Sequence, residues 1–246
     1  MRKSRNLMKL SIVIPAFNEC GKIGRDVESA CEFLLKNSFD GEIIVADDGS
    51  GNTTADEAQK VGDKYNNRIR INVIRNKHHH GKGYAVRSGI IQTTGDYVMF
   101  ADSGGCVPLD NTLRGLELLK TGKCDIAHGS RRLAGTHLVK DQGLYRHICS
   151  AIFHWFIIRM MKLPPQLTDT QCGFKIYRGD VARLFYGQCV TDGFMFDIEI
   201  IRRAINRNYR IAEFPIDWTC DPDSRLSPTR SFWRILSELL KIRKAT

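Results

Sequence analysis

Short apolar runs alternate with helically spaced apolar residues over the first hundred positions. Leu10–Ile14 reads as a buried strand. Ile23, Val27, Ala30, Cys31, Leu34 and Leu35 then recur at the spacing of one helix face before a second strand at Glu42–Ala46. A turn at Asp48–Gly51, a helix over about Thr53–Tyr65, and a strand carrying Ile69, Ile71 and Val73 follow. A loop at Asn76–Gly83, a helix to about Gln92 and a strand at Tyr97–Ala101 complete the alternation. This β-α-β-α order predicts a Rossmann-like, mostly parallel sheet with helices on both faces and ligands held beyond the carboxyl ends of the strands.

After Asp102 the alternation loosens. The pattern predicts a helix near Leu109–Leu119, a short strand at Asp125–His128, a basic loop, and a long apolar helix at Leu144–Leu163. A strand near Cys172–Tyr177, further helices, a strand at Arg210–Ile216 and a last helix at Phe232–Arg243 follow. No linker rich in Pro, Gly or Ser interrupts the run. The expectation is therefore one α/β domain over residues 1–246, which is long enough for a single large core.

Composition narrows the class. Apolar residues make up 42% and charged residues 26%, which excludes disordered, collagenous and coiled-coil chains. Eight cysteines occur without a Cys-x-x-Cys pair, which argues against a zinc ribbon or disulfide framework and fits a reducing cytosol. The apolar run near the start is cut by Pro15, Asn18 and Glu19 and is too short for a signal-peptide core. No stretch reaches the roughly 20 apolar residues that span a bilayer. With 37 basic against 27 acidic residues the net charge is +10, so contact with anionic partners or a membrane surface is open. Leu144–Leu163, with Trp155, Phe156, Ile157 and Met160, and the last helix with its Lys241, Arg243 and Lys244, read either as interfacial helices or as helices that bury their apolar sides in the core.

Polar signatures collect at three strand ends: Pro15-Ala-Phe-Asn-Glu19, Asp47-Asp-Gly-Ser50 and Asp102-Ser-Gly104. Each alone reads equally as a turn or helix cap. Together, on successive strand ends of one sheet, they point to a nucleotide site, with carboxylates to accept hydrogen bonds from a base or ribose or to bind a cation. Gly81-Lys82-Gly83 opens the next helix, where backbone amides and the Lys82 charge suit a diphosphate. A dinucleotide Gly-x-Gly-x-x-Gly after the first strand and a P-loop are both missing. His78-His79-His80 reads as a solvated loop lip, since three adjacent side chains cannot all face one ion.

The run Leu10-Ser-Ile-Val-Ile-Pro-Ala-Phe-Asn-Glu19, together with these strand ends, Gly81-Lys82-Gly83 and Phe100-Ala101-Asp102, resembles glycosyltransferase family 2, whose fold is the GT-A type. Gly129-Ser130-Arg131, Asp169-Thr-Gln-Cys-Gly-Phe-Lys175, Asp192-Gly-Phe-Met-Phe-Asp197 with Glu199, and Glu213-Phe-Pro-Ile-Asp-Trp218 resemble its dolichyl-phosphate β-glucosyltransferase branch. The similarity covers about residues 9–243. It implies an inverting transfer of a hexose, glucose from UDP-glucose, onto a polyprenyl phosphate by a protein peripheral to the cytosolic face of a membrane. Residues 9–105 would form the nucleotide-sugar half and 106–246 the acceptor half. Pro15, Phe17, Glu19, Ala46, Asp48 and Lys82 would line the nucleotide, and Asp102 would meet the metal and the diphosphate.

The family usually carries Asp-x-Asp at the fourth strand end, and here Gly104 replaces the second carboxylate. A cation, Mg²⁺ or Mn²⁺, would then rest on Asp102, diphosphate oxygens and water. Arg131, with Lys140 and Arg146 nearby, is the candidate cradle for the acceptor phosphate, because a guanidinium fork suits that group. Two other readings stay open: a family 2 enzyme with a soluble glycan or other acceptor, and a non-catalytic basic protein that binds polyanions or membranes. The acidic strand ends disfavour the latter, and no nucleic-acid partner is expected.

Overall fold

The computed structural model describes residues 8–138, 144–219 and 232–246. Among them the chain order is β1 (Lys9–Ala16), α1 (Ile23–Lys36), β2 (Asp40–Asp47), α2 (Thr54–Tyr65), β3 (Arg70–Arg75), α3 (Lys82–Ile90) and β4 (Tyr97–Ala101). A short 3-10 turn at Leu109–Asn111 leads into α4 (Thr112–Lys120), β5 (Ile126–Ser130), β6 (His137–Leu138) and α5 (Leu144–Met161). The chain continues with β7 (Phe174–Arg178), α6 (Gly179–Gly187), α7 (Phe196–Asn206), β8 (Ile211–Pro215), β9 (Asp217–Trp218) and α8 (Phe232–Ala245).

Seven strands form one sheet in the order β3-β2-β1-β4-β7-β5-β8, and β6 pairs with β9 in a small second ladder. The sheet is parallel except for β7, which runs antiparallel between β4 and β5. Alternate residues of each inner strand serve opposite faces, because side chains along a strand repeat every second residue. Ile12, Ile14, Ile43, Val45, Met99 and Ala101 join one buried cluster with Val27, Ala30 and Leu34 of α1. Val13, Ile44, Val98 and Phe100 join the other, with Val86 and Ile90 of α3 and Phe196 of α7. Burial on both faces is why these strands read as nearly continuous apolar runs.

A third cluster sorts the two readings of α5 residue by residue. Ile157 and Met161 of α5 are buried against Ile198 and Ile201 of α7 and Ile235, Leu239 and Ile242 of α8, with Phe156 and Met160 packed alongside. Phe156, Ile157 and Met160 therefore belong to the core side of α5, and the outward side carries Ile152 and Trp155. Trp155 is 66% exposed and Trp233 of α8 is 79% exposed. Among the described residues no helix is long and apolar enough to cross a membrane.

Because β2, β1 and β4 are neighbours, their carboxyl ends form one edge. The three polar signatures of the sequence thus meet in space.

Candidate active site

At the centre of that edge stands Asp102, the residue after β4. Its amide donates to the Gly173 carbonyl at 3.0 Å. A Cβ at Gly173 would overlap the Asp102 carboxylate, so the Asp169–Lys175 loop can press against this strand end only with glycine there. The Lys82 ammonium, on the first residue of α3, lies 2.7 Å from Asp102 Oδ1 and 2.8 Å from Oδ2. Burial disfavours the charge on Lys82, but the carboxylates of Asp102 and Asp197 outweigh it and hold its pKa above the usual lysine value.

The same loop is pinned from behind. Lys175 is fully buried and donates to Asp197 and to the Cys172 carbonyl, each at 2.7 Å. Burial pushes the Asp197 carboxyl up, with Lys175 and Lys82 opposing the rise. The Cys172 thiol is pushed up to about 12 by burial, with Asp169 adding to the rise, so it stays a thiol. At the head of the loop Asp169 receives Arg131 through two hydrogen bonds, Nε to Oδ2 at 2.6 Å and Nη2 to Oδ1 at 2.8 Å. Burial works against the Asp169 charge, yet Arg131 holds its pKa below the usual carboxylate range. Glu213 of β8 completes the arrangement by accepting the amides of Thr168 and Asp169 at 2.7 and 2.8 Å. The guanidinium of Arg131 also lies 5.6 Å from the centre of the Trp218 ring.

Toward the β1 and β2 ends, Asp47 bonds Ser50, and Asp48 is buried with its carboxylate turned into the loop before α3. Asp48 accepts the amides of His80 and Gly81 at 3.1 and 2.7 Å, and its Oδ2 lies 2.8 Å from His79 Nδ1. The His79 ring stacks on Phe17, with centroids 3.9 Å apart and planes 21° apart. Two loops meet closely here: Gly49 has φ +75°, and a Cβ on it would come within 2.5 Å of the His78 carbonyl carbon. Pro15 and Ala46 sit side by side in the β1–β2 ladder, both buried. Glu19 lies in the turn before α1, its carbonyl accepting the amides of Lys22 and Ile23, while its own amide bonds Thr54 Oγ1.

The structure brings together Phe17, Asp48, Lys82 and Asp102 as the strand ends predicted. It places Arg131 against Asp169, with a third of the Arg131 side chain still exposed. Lys140 lies outside the described residues, and so does the side chain of Arg146. Arg132 reaches Ser150 on α5 instead of joining Arg131. Three participants gave little sequence signal: Asp169 as the partner of Arg131, the stacking of His79 on Phe17 within a histidine run that is exposed as its sequence reads, and Asp26 of α1. Asp26 accepts the Gly104 amide at 2.8 Å and, with Asp102, lines a cavity of about 320 Å³ between α1 and the loop after β4. Burial pushes its carboxyl up to about 6, opposed by the Gly104 hydrogen bond.

The family model described as glycosyl transferase family 2 matches residues 11–185. The chain belongs to this family. A dolichyl-phosphate β-glucosyltransferase from Dictyostelium discoideum is 31% identical over 95% of this chain and 73% of its own length. The proteins of that name from Saccharomyces cerevisiae and Homo sapiens are each 30% identical, over 96% of this chain and 74% and 75% of their own lengths. The branch resemblance carried by the second-half motifs is thereby borne out, and the chain is a nucleotide-sugar-dependent glycosyltransferase. Its fold is the GT-A type, matching glucosyl-3-phosphoglycerate synthase from Mycobacterium tuberculosis, solved with Mn²⁺, UDP and glucosyl-3-phosphoglycerate. That match has a TM-score of 0.68 at 20% identity, over 96% of this chain and 80% of the other.

Proposed function

We propose that this glycosyltransferase moves glucose from UDP-glucose to a polyprenyl phosphate of the dolichyl type, at the cytosolic face of a membrane. The observation that carries the reading is the Asp102–Lys82 pair, locked by Gly173 at the sheet edge where a diphosphate would meet both halves of the chain. Residues 9–105 supply the nucleotide-sugar side and 106–246 the acceptor side. Phe17 and Asp48 take the base, with Pro15, Glu19 and Ala46 around the nucleoside.

The acceptor is a phosphate monoester whose second pKa is ~6, so its oxygen is already anionic near neutral pH and needs no strong general base. The protein's work is to align that oxygen behind the anomeric carbon and to stabilise the departing diphosphate. As the new C–O bond forms, the bond to the diphosphate breaks and its electron pair leaves with UDP. Lys82 is the cation placed to receive the charge that develops there.

A divalent metal fits the donor set in a limited way. Asp102 offers hard oxygen atoms, Gly104 offers no side chain, and among the described residues no group of three or more His, Cys, Asp or Glu is placed to hold an ion. Such a site suits Mg²⁺ or Mn²⁺, which keep several waters and share diphosphate oxygens. When bound, the ion would neutralise charge on the leaving group, with Asp102 as its protein ligand. The hold of the buried Asp169 carboxylate on Arg131 supports Arg131 as a rigid wall on the acceptor side.

Membrane contact at the outward Trp155 and Trp233 is the companion proposal, since the lipid tail of the acceptor stays in the bilayer. The test is a panel of UDP- and GDP-sugars with Mg²⁺ or Mn²⁺ and a short polyprenyl phosphate, with the lipid product weighed by mass spectrometry. Glucosyl lipid from UDP-glucose is expected. Turnover only with water-soluble acceptors would overturn the lipid assignment.

A further inference from the structure

His80 stacks its ring on Tyr84, with centroids 4.1 Å apart, whereas His79 combines a ring stack with a contact to a carboxylate. Its ring lies face to face on Phe17 at 3.9 Å, and its Nδ1 lies 2.8 Å from a buried carboxylate oxygen of Asp48. The nitrogen facing that oxygen carries a proton, because a lone pair pointed at a carboxylate would be repelled. A flat heteroaromatic ring stacked on an aromatic side chain while giving an N–H to a carboxylate is the set of contacts a nucleobase makes. The location agrees, because Phe17 and Asp48 follow the carboxyl ends of two adjacent parallel strands, where mononucleotides bind. A centroid separation of 3.9 Å leaves no room for a base between His79 and Phe17.

We propose that His79 is a displaceable stand-in for the nucleobase, so that donor binding requires its imidazole to leave Phe17 and Asp48. The inference rests on the reading of this edge as a nucleotide-sugar site. The ring has somewhere to go: the His79 side chain is 49% exposed and belongs to the loop between β3 and α3. The carboxylate does not move with it, since the amides of His80 and Gly81 hold Asp48 in place. The base that replaces the ring must itself offer an N–H beside Phe17, as uracil does through N3–H; cytosine carries an acceptor at that ring position and donates only through its exocyclic amino group.

A competing occupant lowers apparent affinity by the fraction of time that it blocks the site. If the ring is seated about nine-tenths of the time, its removal tightens binding about tenfold. The experiment is calorimetric titration of UMP and UDP into wild type, His79→Ala and His79→Gly, with the imidazole ¹⁵N resonances of wild type followed during a UMP titration. The expected result is tighter binding to both variants by roughly three- to tenfold, and a His79 resonance that moves in step with UMP saturation. Weaker binding to the variants would show that the ring clamps the base from outside and would overturn the proposal. Equal binding with an unmoved His79 resonance would overturn it while leaving the nucleotide site intact. If neither nucleotide binds any of the three proteins, the nucleotide assignment of this edge fails as well.

Discussion

Arg131→Ala removes a guanidinium that answers a buried carboxylate, so its first consequence is on stability. Asp169 retains 4% side-chain exposure, and both of its oxygens are used by Arg131. Deleting the cation leaves Asp169 with the Arg131 backbone amide as its remaining donor from that side, at 3.2 Å. Breaking a buried pair by removing one partner costs about 3–5 kcal/mol. Arg131 itself keeps 33% exposure, so water already screens part of the interaction, and the lower end, about 2–3 kcal/mol, is the expected loss. The sign with pH follows from Asp169, whose pKa is depressed in the fold. Its contribution to wild-type stability is present above the ordinary Asp value of 3.8 and is lost as pH falls through the lower, folded value. In the variant the isolated carboxylate escapes its penalty by binding a proton, so the gap between the two proteins narrows as the solution is acidified. Urea denaturation at pH 7 and pH 4, with the double variant Arg131→Ala/Asp169→Asn alongside, measures this. The double variant should recover part of the loss because no buried charge remains. If Arg131→Ala is as stable as wild type at pH 7 yet loses turnover selectively at low acceptor concentration, the guanidinium is held for the acceptor phosphate and not for Asp169.

Asp102→Asn should leave the fold intact and lower turnover at least about 10²-fold, the scale of one electrostatic stabiliser; wild-type rates from purified variant would remove Asp102 from the chemistry. Asp26→Asn should stabilise the protein near pH 8, because the carboxyl is raised from 3.8 to about 6 in the fold, so wild-type stability falls as pH rises through that window. At 1.36 kcal/mol per pH unit the bound is about 3 kcal/mol, and about 1–2 kcal/mol is expected for a partly exposed group, vanishing below pH 4 in urea melts. Trp155→Glu and Trp233→Glu should each cut flotation with anionic vesicles about tenfold without unfolding the protein, since both rings face outward; unchanged flotation of the folded variants would put the membrane face elsewhere.

The edge proposed for the nucleotide was readable in the sequence because its cause is local. Strand periodicity located β1, β2 and β4, and residues that break such runs fall at strand ends. The side proposed for the acceptor was less readable because its cause is long-range. Nothing in the apolar run of β7 says that it enters antiparallel between β4 and β5, and only that insertion brings Asp169 and Gly173 onto Arg131 and Asp102. The charge on Arg131 was visible, while its partner lies 38 residues away. Helix α5 shows a third kind of limit. Apolar residues surround most of it, so spacing could not separate Ile157, which is buried, from Trp155, which is not. The histidine run is exposed, as its sequence reads, but the contacts of His79 with Phe17 and Asp48 rest on the close approach of Gly49 to the His78 backbone, which the run itself does not show.

A further consequence concerns how an anionic donor can bind an edge built from carboxylates. Asp48 and Asp102 would repel a diphosphate if they stood bare. Asp48 is instead held by two backbone amides and the His79 ring, and Asp102 is covered by the Lys82 ammonium. Two of these partners, His79 and Lys82, sit on a loop and at a helix start that face the ligand side, whereas the backbone partners are fixed. On the proposed reading, donor binding would be an exchange: the base would take the place of His79 on Asp48, and Lys82 would turn to the diphosphate, leaving the Asp102 oxygens to hold a cation. Such an exchange keeps the buried Asp48 carboxylate partnered, which avoids the several kcal/mol that an uncompensated buried charge costs. It also accounts for a strand end that works with one carboxylate. With Gly104 in the second position there is one fewer negative charge for Lys82 to cover before the donor arrives.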